Sequence, residues 1–251
     1  MERKKIFTKL ENNPEVMNAL AKKLGLSDDL TFYDVYSLGE PELLAHIPRP
    51  AYALLVIIPP TQAWMTERET EDEALGDPVT YYNGGAATGD VKEPVIWFKQ
   101  IIGDACGSYG LVHCAINGQT HQFILPGSTL ERIRNDAIPL PRDERARLLY
   151  DSQEFEEAHR SVAALGDTPE PTVEDSGHTG HFVAYVKANG RLWELEGARE
   201  GPLDRGALDD DEDVLSPKAL NLGLKRIMNL SAGAGEEDLN FSCTVLAPRS
   251  G

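Results

Sequence analysis

Eight consecutive apolar residues, Ala51-Tyr-Ala-Leu-Leu-Val-Ile-Ile58, stand between Pro50 and Pro59. A strand with one wet face alternates apolar and polar side chains, whereas a strand that is apolar at every position has to be covered on both faces. The β-branched end, Val56-Ile-Ile58, favours strand over helix. The run therefore predicts a sheet through the middle of the chain with other elements layered on each side. It is far too short to cross a bilayer, which takes roughly 20 apolar residues in a helix.

With 251 residues, 41% hydrophobic and 26% charged, the chain has the composition of an ordinary soluble protein and the length of one large domain. Against 24 basic residues stand 41 acidic ones, a net charge of −17. That argues against nucleic acid and anionic membranes as partners, because both are held by Lys and Arg clusters, and points toward a basic partner. Three cysteines are an odd and sparse count, as expected of free thiols in a reducing compartment. No apolar stretch of the signal-peptide kind follows Met1-Glu-Arg-Lys-Lys5. The expectation is a cytoplasmic monomer, with the sequons at Asn229 and Asn240 accidental.

Local signals fill in the layers. Asn13-Pro14-Glu15 sets a capping residue, a first-turn proline and a first-turn acid in order, and Met17, Leu20 and Leu24 follow at helical spacing before Gly25. Strands are expected over 32–38, 181–187, 191–196 and 239–246, and helices over 41–46, 105–116, 128–137, 141–155 and from Ser216-Pro217 onward. Residues 66–93, acidic and then Gly- and Ala-rich, and residues 161–180, rich in Pro and acids, read as long loops within a single domain spanning 1–251. Asn189-Gly190 between the third and fourth predicted strands is a strong signal for a two-residue hairpin. Intermixed strands and helices around one core give an α/β (α+β) class.

The residues that carry chemistry are Gln100, Cys106, His181 and Glu196. Cys106 lies in Gly103-Asp-Ala-Cys-Gly-Ser-Tyr-Gly110, where an extended segment turns into a helix. The positive end of the helix dipole is expected to lower the thiol pKa there and favour the nucleophilic thiolate. Gln100, six residues earlier, is placed to add its amide to the Cys106 backbone N–H as a two-donor oxyanion hole. With a two-residue loop at 189–190, residue 196 falls opposite residue 183. His181 and Glu196 then share a face as diagonal neighbours about 7 Å apart. At that separation a carboxylate can fix the imidazole tautomer and stabilise its charged form. A buried inert thiol, a surface amide and a solvated His and Glu are the plain readings of each residue alone. The four together favour chemistry. His178 is the alternative base, and Cys114 and Cys243 read as core. His113-Cys114 has no companions at metal-ligand spacing, so neither a metal nor another cofactor is expected.

Asn13-Pro-Glu-Val16, Phe32-Tyr-Asp-Val-Tyr36, Pro41-Glu-Leu-Leu44, Pro48-Arg-Pro50, Lys99-Gln100, Ala105-Cys-Gly107 and His181-Phe-Val-Ala184, in this order, closely resemble the ubiquitin carboxyl-terminal hydrolases of the short single-domain type. The resemblance spans about residues 10–246. It implies a papain-like cysteine peptidase with a central, mostly antiparallel sheet between helices and a knotted backbone. It further implies that Cys106 is the nucleophile, Gln100 the oxyanion donor and His181 the general base, with residues 161–180 as a crossover loop restricting substrates to small adducts or flexible peptide tails. The implied partner is ubiquitin, or the neddylation modifier with its similar tail. In place of the family's aspartate in Glu-Leu-Asp-Gly stands Glu196, in Glu194-Leu-Glu-Gly197, so a weakened, merely ubiquitin-binding protein is the alternative. Glu11, Asp34, the 161–180 loop and Asp209-Asp-Asp-Glu-Asp213 are the acids available to a basic substrate tail, although a simply solvated face is the plainer reading of the last run.

Overall fold

The computed structural model describes residues 5–75, 93–165, 180–235 and 241–250. In chain order the elements are α1 (Pro14–Leu24), β1 (Leu30–Asp34), α2 (Pro41–Leu44), β2 (Ala53–Ile58), α3 (Gln62–Ala74), α4 (Cys106–Ile116), α5 (Thr129–Ala137), α6 (Arg142–Asp151), α7 (Gln153–Ala163), β3 (His181–Ala188), β4 (Arg191–Leu195), β5 (Leu203–Ala207), α8 (Pro217–Leu222), α9 (Leu224–Gly233) and β6 (Ser242–Pro248). The sheet has the order β1-β6-β2-β3-β4-β5, and every neighbouring pair is antiparallel.

β2 lies inside the sheet between β3 and β6, and its side chains divide between two cores. Ala53 and Leu55 join Phe182, Ala184 and Val186 against α1, α4 and α5 to α7. Leu54, Val56 and Ile58 join Val183, Tyr185 and Val245 against Trp64 of α3 and the α8–α9 segment. The uninterrupted apolar run is thus explained by helices on both faces. α1 begins and ends as its sequence dictates: the Asn13 side chain accepts from the Val16 N–H at 2.9 Å, and Gly25 closes the helix at φ +100°. No helix among the described residues is long and apolar enough to cross a membrane.

Several elements differ from the sequence expectation. The segment from Thr66 is not loop at its start but the body of α3, capped by the Thr61 hydroxyl on the Trp64 N–H at 3.1 Å. Its Glu67, Glu71 and Asp72 are tied up in ion pairs, which makes a polar sequence a stable packed helix. The single helix expected over 141–155 is two, because Ser152 leaves helical geometry and caps α7 through the Phe155 N–H. α7 runs on to Ala163, three residues into the predicted 161–180 loop, whose residues 166–179, His178 among them, lie outside the described residues. β1 is shorter than predicted, ending at Asp34, and β5 was not expected at all.

Candidate active site

The hairpin joining β3 to β4 sets the site. Asn189 and Gly190 both have positive φ, +51° and +68°, as a two-residue turn of the primed type requires. Ala188 pairs with Arg191 and Ala184 with Leu195, so the ladder runs on to set residue 196 opposite residue 183. His181 Nδ1 lies 3.4 Å from Glu196 Oε1. That is a close contact rather than a hydrogen bond, and it leaves Nε2 as the ring nitrogen available for proton transfer. His181 is about one-third exposed, whereas Glu196 is 2% exposed.

Cys106 is the first residue of α4, and its helix lies flat on the sheet because two glycines allow it. A Cβ on Gly110 would come within 2.6 Å of Leu55 Cδ1, and one on Gly107 would stand 3.3 Å from the Phe182 ring. The helix that opens on Cys106 thus packs on Phe182, the residue that follows His181. The thiol is not lowered as the helix position alone suggested. Burial is the largest influence and pushes it above its ordinary value; the backbone of Phe182 and Gly107 pulls it down, and the Asp104 carboxylate adds to the rise. Desolvation therefore outweighs the helix N-terminus.

Gln100 is fixed by its surroundings. Its Nε2 donates to the Ile102 carbonyl at 3.0 Å, and its backbone N–H donates to the Gly197 carbonyl at 2.7 Å. Trp97 Nε1 donates to the Glu196 carbonyl at 3.0 Å and Lys99 Nζ to the Arg199 carbonyl at 2.8 Å, so residues 97–100 and 196–199 run stitched together. The buried His113 ring accepts from the Phe98 N–H at 3.0 Å. His113 thus joins the strip bearing Gln100 to the helix bearing Cys106, and burial holds its ring neutral with a pKa near 3. Cys114 is fully buried in the core beneath α4, and burial pushes the Cys243 thiol up to about 12.

Three residues that the sequence did not single out also reach this site. Arg68 Nε and Arg199 Nε each lie 3.6 Å from Glu196 Oε2, and the Trp64 ring centroid lies 5.3 Å from that of His181. The signal for the two on α3 was available: Trp64 and Arg68, with Asp72 beyond them, follow at i, i+4 spacing behind a capping threonine. Their segment looked like a loop because it is so polar.

The run Asp209 to Asp213 is placed elsewhere. Asp213 is a buried structural residue that pairs with Arg49 and accepts from the Ala51 N–H at 2.8 Å. Lys187 donates to the carbonyls of Asp209, Asp210 and Glu212, and Lys218 pairs with Asp209 and Glu212. These anchors sit where β2 begins and β3 ends, whereas His181 stands where β3 begins. Seven residue steps along a strand span about 23 Å, so the run does not face the site.

An antiparallel sheet carrying a histidine–carboxylate pair at its end, backed by a helix that opens on a cysteine, is the layout of the papain-like cysteine peptidases, and that is the class this fold defines. Residues 7–229 match the profile of "Ubiquitin carboxyl-terminal hydrolase, family 1", and the chain belongs to that family. Among its relatives are ubiquitin carboxyl-terminal hydrolase 3 of Arabidopsis thaliana, 30% identical over 242 residues that cover 96% of this chain and 94% of the relative, and the ubiquitin carboxyl-terminal hydrolase of Aplysia californica, 34% identical over 205 residues covering 80% and 86%. The fold is shared with the catalytic domain of Trichinella spiralis UCH37, bound in its crystal structure to ubiquitin vinyl methyl ester. The TM-score is 0.71 at 21% identity, over 97% of this chain and 96% of that one.

Proposed function

We propose that this chain is a deubiquitinating thiol hydrolase that cleaves small adducts or peptide tails after the C-terminal glycine of ubiquitin through an acyl-enzyme on Cys106. The observation that carries the reading is the meeting of His181 Nδ1 and Glu196 Oε1 at 3.4 Å, with Cys106 opening the helix that packs on Phe182, the next residue of β3. Family membership and the ubiquitin-derived ligand of the T. spiralis relative support the substrate. Three free cysteines suit a cytoplasmic workplace.

His181 takes the Cys106 proton as the sulfur attacks the glycine carbonyl, and Glu196 stabilises the imidazolium that forms. The developing oxyanion is met by the Cys106 N–H and by the Gln100 amide, whose bond to Ile102 uses one of its two hydrogens and leaves the other to donate. His181 returns the proton to the leaving amine, and water, deprotonated by the same ring, hydrolyses the thioester. Glu196 touches the imidazole despite the departure from aspartate, which favours the enzyme over the non-catalytic ubiquitin binder.

The test is fluorophore release from ubiquitin carrying a C-terminal aminocoumarin amide, beside Cys106→Ala. Release that disappears in the variant is expected. Tight ubiquitin binding without release by the native chain would overturn the hydrolase, and release only from the neddylation modifier would reassign the substrate.

A further inference from the structure

Helix α3 runs along the back of the candidate triad in matching order. Trp64 stands against the His181 ring. One turn on, the Arg68 guanidinium lies 5.5 Å from the Trp64 centroid, 3.6 Å from Glu196 Oε2 through Nε, and donates through Nη2 to the Ala198 carbonyl at 2.5 Å. A further turn on, Glu71 and Asp72 hold the buried Arg199 at 2.7 and 3.2 Å, and Arg199 is the second cation on Glu196 Oε2. Neither Glu196 oxygen has a hydrogen bond among the described residues. A carboxylate so buried and so poorly hydrogen-bonded is costly unless cations face it.

We propose that α3 backs the His181–Glu196 pair, with Arg68 and Arg199 as positioning residues that hold the Glu196 carboxylate by charge and aim it at His181 while Trp64 fixes the plane of the imidazole. The proposal rests on the reading of Cys106, His181 and Glu196 as the triad. It also accounts for glutamate at this position: the cations hold the extra methylene in one conformation where hydrogen bonds do not.

Arg68→Gln and Arg68→Lys test it. The charges around the triad are Arg68, Glu71 and Asp72 from α3, Arg199 and Glu194 from the β4 end, and Asp104 beside Cys106. Removing a cation that lies 3.6 Å from the carboxylate leaves the site less positive, so the acid limb of kcat/KM is expected to move to higher pH in the variant. Arg68→Gln is expected to lower kcat about tenfold or more with KM within about threefold of the native value, and to shift that limb up by about half a unit or more. The pH profile of Cys106 alkylation by iodoacetamide moves the same way, and that readout needs no turnover. Arg68→Lys, which keeps the charge, restores the limb and brings kcat to within about threefold of native. Native kcat and limb in Arg68→Gln overturn the proposal. A lower melting temperature with an unmoved limb also overturns it, since it leaves Arg68 merely structural. If Arg68→Gln does not fold, Arg68→Lys decides: a native limb with kcat down about threefold is expected from the weaker fork, and a moved limb overturns the charge argument. A native chain with no Cys106-dependent turnover sinks the hydrolase reading instead, and the alkylation profiles still test the contact.

Discussion

Glu196 differs from the aspartate of the family pattern by one methylene, and the structure uses that length. The residue reaches His181 at 3.4 Å and both arginines at 3.6 Å from a strand end clamped by Trp97 Nε1 on its own carbonyl and by the Gln100 N–H on the next one. Glu196→Asp withdraws the carboxylate from all three partners. We expect kcat/KM to fall about tenfold or more rather than rise, and steady-state kinetics decide it; a gain of orders of magnitude would show that glutamate impairs the native enzyme. Two buried histidines set the response to acid. Burial lowers the pKa of His113 to about 3 and that of His159 to about 4, the latter ring bonded to Ser108 Oγ at 2.7 Å and to the Thr8 carbonyl at 2.9 Å. Below their ordinary 6.5 the unfolded chain takes up protons that the folded chain refuses, so stability drops as pH falls from 6.5 toward 4. The slope is about 1.4 kcal/mol per pH unit for each histidine. Urea midpoints at pH 7, 6 and 5 measure it, and His159→Gln, which keeps the size and polarity, is expected to remove about half of the slope; an equal slope in the variant would exclude His159.

Between elements, the site depends on a contact where a side chain had to be absent. A Cβ on Gly197 would stand 2.8 Å from Gln100 Cβ and 3.3 Å from Gln100 N, so Gly197→Ala pushes the oxyanion strip away from the end of β4. The expected loss is about 100-fold in kcat with a melting temperature close to native, read by turnover and thermal unfolding of one sample. A loss of both in proportion would mean that Gly197 serves folding alone. The sequence made much of this legible. The two-residue turn at Asn189-Gly190 fixes the register of β3 on β4 and so brings His181 and Glu196 to one face, by arithmetic that needs no tertiary information. Periodicity and capping residues found α1. α3 escaped because its helical stripe is Trp64, Arg68 and Asp72, in which only the tryptophan is apolar, and its burial is secured by charge pairing across distant segments. The rise of the Cys106 thiol escaped for a similar reason, since the dipole is a property of the local sequence and desolvation a property of what packs over it.

At the scale of the whole molecule, the charge of −17 has to be divided between what holds the fold and what a partner meets. Glu71, Glu194 and Asp213 are consumed internally by Arg199, Arg205 and Arg49, and Asp209 and Glu212 by Lys218. Burial alone would raise the Glu194 carboxyl, yet Arg205, Arg199 and Arg226 hold it at about 2. Of the acidic run only Asp210 and Asp211 carry exposed side chains without an ion pair among the described residues, and the run stands at the end of the sheet away from His181. Steering of a basic partner is then a property of the summed field, which reaches beyond single contacts and decays over a Debye length of about 10 Å at 0.1 M salt. Under the proposed function, raising salt from about 50 to 500 mM is expected to lower kcat/KM for the ubiquitin substrate about tenfold, mostly through slower association. The double variant Asp210→Asn, Asp211→Asn should keep the native value within about twofold at low salt, because two charges some 20 Å from the site are screened from it. Stopped-flow association rates across a salt series check both statements. A double variant that loses most of the salt dependence would place the substrate's basic tail against the far end of the sheet, and the route from there to Cys106 would have to be redrawn.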